Sequence, residues 1–275
     1  MGTPNASEGP GIRPGASTPS TDIRGSGACP QCGGTGFELI ESADGVARAR
    51  RCACLGADRV ERLLRESRIP RRYQSCSFEE FADLNTSLSL AKLHIRRFVE
   101  EYPIHDSGLL LMGPCGVGKT HLAAAALLSL MKDKGARALF YDFRDLLKEI
   151  QASYNAVSGT TELEVLQPIF GAEVLVLDDL GSTRMTDWVR DTLSHIINNR
   201  YNERRVTIFT SNLDDEIGAR SHPADERVRE KPNLRSQIGD ALRSRLYEMC
   251  EVITLEGEDF RRTVHHTGRR PAPLP

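Results

Sequence analysis

The chain has 275 residues and a formal net charge of −2, which is room for one α/β core and a small extra module at about 100–200 residues per domain. Near-neutral charge gives no global basic field, so any nucleic-acid binding needs a local patch. No stretch approaches the roughly 18 uninterrupted apolar residues of a membrane span, and the first residues lack the basic start and apolar middle of a signal peptide, so no membrane partner and a cytoplasmic location are the expectation.

Residues 1–27 are rich in Gly, Pro, Ser and Thr with hardly any large apolar side chains, and such a composition buries too little surface to offset ordering entropy. They read as a disordered tail. Residues 28–55 carry four of the seven cysteines. Cys29 and Cys32 pair across a Gly-rich knuckle, Cys52 and Cys54 follow after nineteen residues, and four thiolates suit tetrahedral Zn²⁺ in a closed, structural site. Arg48, Arg50 and Arg51 offset part of its charge. Redox-active or incidental cysteines are the alternative. Cys76, Cys115 and Cys250 stand alone and read as small apolar residues. Residues 56–68 form a linker helix on the helical spacing of Leu55, Val60, Leu63 and Leu64, stopped by Pro70.

From residue 69 to 262 the chain alternates strand and helix signals, which predicts an α/β P-loop domain: a parallel sheet with flanking helices. Gly108–Met112, Ala138–Asp142, Val174–Leu177 and Val206–Thr210 are the strands, near-continuously apolar as strands covered on both faces must be. Thr120–Lys134, Arg144–Tyr154 and Trp188–Tyr201 are the helices. Residues 263–275 read as a flexible tail.

The stretch Gly113-Pro114-Cys115-Gly116-Val117-Gly118-Lys119-Thr120-His121 is the nucleotide site. Its glycines let backbone N–H groups curl around phosphate, Lys119 reaches the β- and γ-phosphates of ATP, and Thr120 offers a hydroxyl to Mg²⁺. The strand ending at Leu177 delivers Asp178 and Asp179 beside that loop, Asp178 for Mg²⁺ through its water shell and Asp179 to orient the attacking water. Asp179 as a mere turn cap is the alternative. Thr210-Ser211-Asn212 ends the next strand, which puts the Asn212 amide near the γ-phosphate as a sensor.

With these residues in place, 69–262 resembles the DnaC/IstB-like group of AAA+ ATPases, bacterial helicase loaders and transposition helpers. Ile69-Pro70-Arg71-Arg72-Tyr73, Asp178-Asp179-Leu180-Gly181, Ile196-Ile197-Asn198-Asn199-Arg200-Tyr201, Ser244-Arg245-Leu246 and the stretch Leu255 to Arg262 carry the likeness. The chain departs from the group at Asp179, where many members have Glu. The resemblance implies a homo-oligomer with ATP at subunit interfaces. Arg245, after the last sheet signals, would then reach a neighbour's γ-phosphate, with Arg243 as the substitute. It also implies a single-stranded DNA surface on the helix bearing Arg144 and Lys148, whose bland alternative is a solvated charged face. The zinc module points to a loader that places a replicative helicase on single-stranded DNA through DNA-stimulated ATP hydrolysis. A transposition helper that engages a transposase, a nucleotide-regulated adaptor and, remotely, a small-molecule kinase are the competing readings.

Overall fold

Each strand of the main sheet alternates its side chains between two apolar layers, and that alternation explains the architecture. The computed structural model describes residues 32, 37–41, 47–155, 159–215 and 233–262. Two compact units divide at Leu55 and Gly56. In the first, β1 (Phe37–Glu41) and β2 (Ala47–Arg51) pair antiparallel, with Phe37 opposite Arg51. Residues 1–27 and 263–275, read from the sequence as tails, and Cys29 lie outside the described residues.

Helix α1 (Ala53–Glu66) leads into the second unit, and a short 3-10 turn at Arg71–Tyr73 follows Pro70. Then come α2 (Thr86–Glu101), β3 (Gly108–Met112), α3 (Lys119–Lys134), β4 (Ala138–Asp142), α4 (Phe143–Ser153) and α5 (Glu162–Gly171). The remaining elements are β5 (Val174–Leu180), α6 (Asp187–Asn202), β6 (Val206–Ser211), α7 (Leu234–Ile238), α8 (Asp240–Met249) and β7 (Cys250–Thr254). The sheet is parallel in the order β4-β5-β6-β3-β7. Leu109 and Leu111 of β3, Val174 and Val176 of β5 and Ile208 of β6 pack with α2 and α3 on one face. Leu110, Leu175, Leu177 and Phe209 pack with α4 to α8 on the other. Burial on both faces is why these strands are near-continuously apolar.

Helix α3 is covered nearly all round, with Leu122 to Leu128 almost free of solvent, as an Ala-rich helix in the centre of a layer must be. Gly135 ends it in the left-handed conformation, its N–H on the Leu130 carbonyl. Helix α4 starts at Asp142, whose side chain accepts from the Arg144 and Asp145 N–H groups, and α5 starts on a capping box between Thr161 and Glu164.

Four sheet strands were expected, and a fifth is present. β7 lies beside β3 at the sheet edge, where Glu251 and Thr254 stay exposed, so its sequence lacks the near-continuous apolar run of the buried strands. Arg245 therefore precedes the last strand instead of following it. Helix α5 escapes the periodicity reading because Pro168 sits inside it.

The inner stripe of α6 runs Val189, Leu193, Ile196, Ile197 and then Arg200, which is fully buried. Its guanidinium donates to Thr207 Oγ1 at 2.8 Å, to the carbonyls of Ile169 and Ala172 at 2.6 and 3.0 Å, and to the Val206 carbonyl at 2.6 Å. Burial lowers its pKa to about 9, so the group stays protonated at neutral pH. Arg200→Met, similar in length but without donors, leaves these carbonyls unpartnered. At about 1–3 kcal/mol for each orphaned group, the expected loss is at least about 3 kcal/mol. Urea unfolding measures it, and an unchanged midpoint would show that Arg200 does not fasten α5 and β6 to α6.

Candidate functional site

In the sheet, β6 separates β3 from β5, so the carboxyl ends of these three strands bring the phosphate loop, Asp178-Asp179 and Thr210-Ser211-Asn212 together. The loop between β3 and α3 turns on positive-φ glycines. A Cβ at Gly113, φ 142°, would lie 2.1 Å from the Leu255 carbonyl oxygen, and one at Gly118, φ 99°, would lie 2.5 Å from Phe81 Cε2. Glycine is required at both by conformation and by space.

Lys119 is buried, and its Nζ donates to the carbonyls of Gly113 and Pro114 at 2.8 and 2.7 Å. Burial lowers its pKa, opposed by the charges of Cys115, Asp179 and Asp178. Thr120 Oγ1 and Thr210 Oγ1 both donate to Asp178 Oδ1, at 2.9 and 2.6 Å. Burial raises the Asp178 pKa, the two hydroxyls pull it back, and the charges of Asp179 and Asp142 add to the rise. A hydroxyl and a carboxylate converging beside the loop are hard oxygen donors that fit Mg²⁺ held partly through water.

A register shift between β5 and β6 after Leu177 breaks the regular pairing, and Asp179 takes a positive φ of 61°. Its N–H donates to Thr210 Oγ1 at 2.9 Å, and its Oδ1 accepts from Asn212 Nδ2 at 2.6 Å. Asp179 at the end of β5 and Asn212 just past β6 thus meet directly. A non-Gly residue at positive φ is uncommon and held only where its surroundings fix it.

The cleft encloses about 800 Å³. The phosphate loop lines it together with Tyr73, Phe81, Leu84 and Leu88, an aromatic and aliphatic wall suited to a nucleobase. His121 ties this wall to α3. Its Nε2 lies 2.9 Å from the Ser77 carbonyl and its Nδ1 3.5 Å from Cys76 Sγ. The Ser77 carbonyl can only accept, so Nε2–H donates to it and Nδ1 of the neutral ring faces the Cys76 thiol as acceptor; burial pushes that thiol up to about 11. Cys115, expected as a small apolar filler, is exposed on the loop. The stretch after β7 crosses the loop: Asn85 Nδ2 donates to the Glu256 carbonyl at 2.9 Å, the Phe260 N–H to Gly116 at 3.2 Å, and Arg261 lines the cleft. Of the cleft residues, Phe81, Leu84, Asn85 and Leu88 carry no mark in the sequence reading, whereas Tyr73 and the stretch Leu255 to Arg262 enter it only for their likeness. The signal was the aromatic spacing of Tyr73, Phe78 and Phe81 before an N-cap asparagine.

Arg245 does not line the cleft. It sits on α8, half-buried, and donates to Asn198 Oδ1 of α6. Arg243 is tied to Asp215 by two bonds of 2.6 and 2.5 Å. Arg144 Nη2 reaches the Ser182 carbonyl at 3.4 Å, and Lys148 pairs with Asp145 at 2.8 Å on the exposed face of α4. Cys32 and Cys52 are buried. Cys29 and the side chain of Cys54, on α1, lie outside the described residues, and among the described residues no group of three or more metal-binding side chains gathers. Among them, too, no helix is long and apolar enough to cross a membrane.

This is the nucleotide-binding α/β fold of AAA+ proteins, with its phosphate loop and paired acidic residues at the carboxyl ends of neighbouring strands. The chain belongs to the IstB-like ATP-binding protein family, whose model matches residues 49–267. It is 24% identical over 245 residues to phage-like element PBSX protein XkdC of Bacillus subtilis, covering 84% of each chain. It is 26% identical to the replicative helicase loader DnaC of Escherichia coli K12, covering 58% of this chain and 65% of that one, so it spans less than two thirds of that relative. A crystal structure of the DnaC helicase loader superposes with a TM-score of 0.55 at 35% identity, covering 68% of this chain and all of the other.

Proposed function

We propose that this protein hydrolyses ATP at a site shared between subunits and uses that cycle to load a replicative helicase onto single-stranded DNA. The observation that carries the catalytic part is the pair of contacts at the strand ends: Thr120 with Asp178, and Asp179 with Asn212. Lys119 neutralises the β- and γ-phosphates, while Thr120 and Asp178 hold Mg²⁺, which supplies charge stabilisation at the phosphates. Asp179 orients the attacking water and Asn212 fixes the carboxylate that does so. Arg245 completes the site from the neighbour. Asn198 is neutral, so its hydrogen bond leaves the charge of Arg245 uncompensated, whereas Arg243 is bound to a carboxylate.

Loading is favoured by the likeness to DnaC across the ATPase region. A DNA surface is supported on α4. There Arg144 and Lys148 precede Tyr154, whose ring lies 6.4 Å from that of Trp188 at 74° and whose hydroxyl accepts from Trp188 Nε1 at 3.3 Å. Exposed aromatic rings combined with cations along one surface are how single strands are held without sequence preference. Cys29, Cys32, Cys52 and Cys54 would hold a structural Zn²⁺ and make their segment a docking module. Hydrolysis measured with and without single-stranded DNA, alongside pull-downs with a replicative helicase and with a transposase, tests the reading. Stimulation by the single strand and capture of the helicase are expected. Capture of the transposase alone, with stimulation only by duplex DNA, would make the protein a transposition helper, and binding without turnover would make it an adaptor.

A further inference from the structure

Asp142 belongs to two parts of the molecule at once. As the residue capping α4, it accepts the N–H groups of Arg144 and Asp145 on one oxygen, at 2.9 and 3.1 Å. As the last residue of β4, it is the register partner of Asp178. The alternation along both strands puts the two side chains on the same face: Ala138 and Phe140 of β4, like Val174 and Val176 of β5, pack on the α3 side. Asp142 accordingly lines the same cleft as Lys119, Thr120, Asp178 and Asp179.

Capping alone does not call for a charge here. Asparagine and serine cap helices about as well as aspartate, and either would spare Asp178 a like-charged neighbour. The third carboxylate is therefore a cost unless a cation offsets it.

We infer that Asp142 is a positioning residue that couples the metal–nucleotide site to the first turn of α4. Its second oxygen faces the water shell of the Mg²⁺ that Thr120 and Asp178 would hold, while its first keeps the helix cap. Cation binding relieves the repulsion between Asp142 and Asp178 and fixes the Asp142 side chain, which in turn fixes the start of α4. By reciprocity, whatever orders α4 tightens the cation. The inference rests on the nucleotide-site reading and does not need the DNA surface.

The test is Asp142→Asn in the full chain, which preserves both cap bonds and removes the charge. Mg²⁺ is titrated at saturating non-hydrolysable ATP analogue, analogue binding is measured without Mg²⁺, and hydrogen exchange is followed in peptides covering the first turn of α4. The wild type is expected to exchange more slowly there when Mg²⁺ and analogue are present together. The variant should bind the Mg²⁺-free analogue at least as tightly as wild type, bind Mg²⁺ about 10-fold more weakly, as outer-sphere changes around metals commonly do, and lose the exchange response. A purely structural cap predicts the same Mg²⁺ affinity and the same response in both proteins, and that result overturns the coupling. A wild type that binds no analogue overturns the nucleotide site itself, and the coupling with it.

Discussion

Lys119→Ala is expected to weaken ATP binding by at least about 100-fold. The loop from Gly113 to Thr120 has no other cation, and the Lys119 ammonium is held within it by the Gly113 and Pro114 carbonyls. Two hydrogen bonds from a charged donor to phosphate oxygens, at about 1.5–3 kcal/mol each, account for a factor of that size or larger. Burial of the ammonium lowers its pKa, the sign that the fold keeps a charge where nearby protein groups do not fully compensate it. Phosphate would supply that compensation. Calorimetric titration with a non-hydrolysable analogue reads the effect, and thermal unfolding separates it from misfolding. Affinity equal to wild type would move the nucleotide away from this loop altogether.

The parts of the fold that were legible are those where one physical demand fixes the residue type. Strands β3, β5 and β6 are covered on both faces, so they are written as near-continuous apolar runs, and the phosphate loop needs glycine where Leu255 and Phe81 come within about 2–2.5 Å of a would-be Cβ. The illegible parts mix two demands. β7 is an edge strand with exposed Glu251 and Thr254, α5 carries Pro168, and Asp142 is at once a strand residue, a helix cap and a cleft wall. Arg200 shows the same limit within one helix. Charge usually marks the solvent side of an amphipathic pattern, and only the carbonyls of Ile169, Ala172 and Val206, far off in sequence or at the next strand, explain why this one faces inward. The nucleobase wall was hidden for a related reason: Tyr73, Phe81 and Leu88 come from a turn, a loop and a helix that the sequence spaces irregularly and α3 gathers.

Arg245→Ala is expected to bind ATP as wild type does and to lose about 10³–10⁵ in hydrolysis rate, the range over which an inserted guanidinium accelerates phosphoryl transfer. The geometry sets the terms of the prediction. Arg245 sits on α8 against Asn198 and is absent from the wall of its own cleft, whereas the stretch that follows β7 brings Arg261 to that cleft within the same chain. Two arginines close in sequence thus differ in the site they can serve, and Arg245→Ala separates them. Mixing gives the sharper measurement. A subunit carrying Arg245→Ala keeps an intact nucleotide site, a subunit carrying Lys119→Ala keeps an intact Arg245, and an interface that pairs the first site with the second arginine is complete. Hydrolysis by the mixture should therefore exceed that of either variant alone, rising with the fraction of mixed interfaces. If the two variants co-assemble and the mixture stays as inactive as its parts, Arg245 acts only within its own subunit through α6, and ATP is not hydrolysed between neighbours.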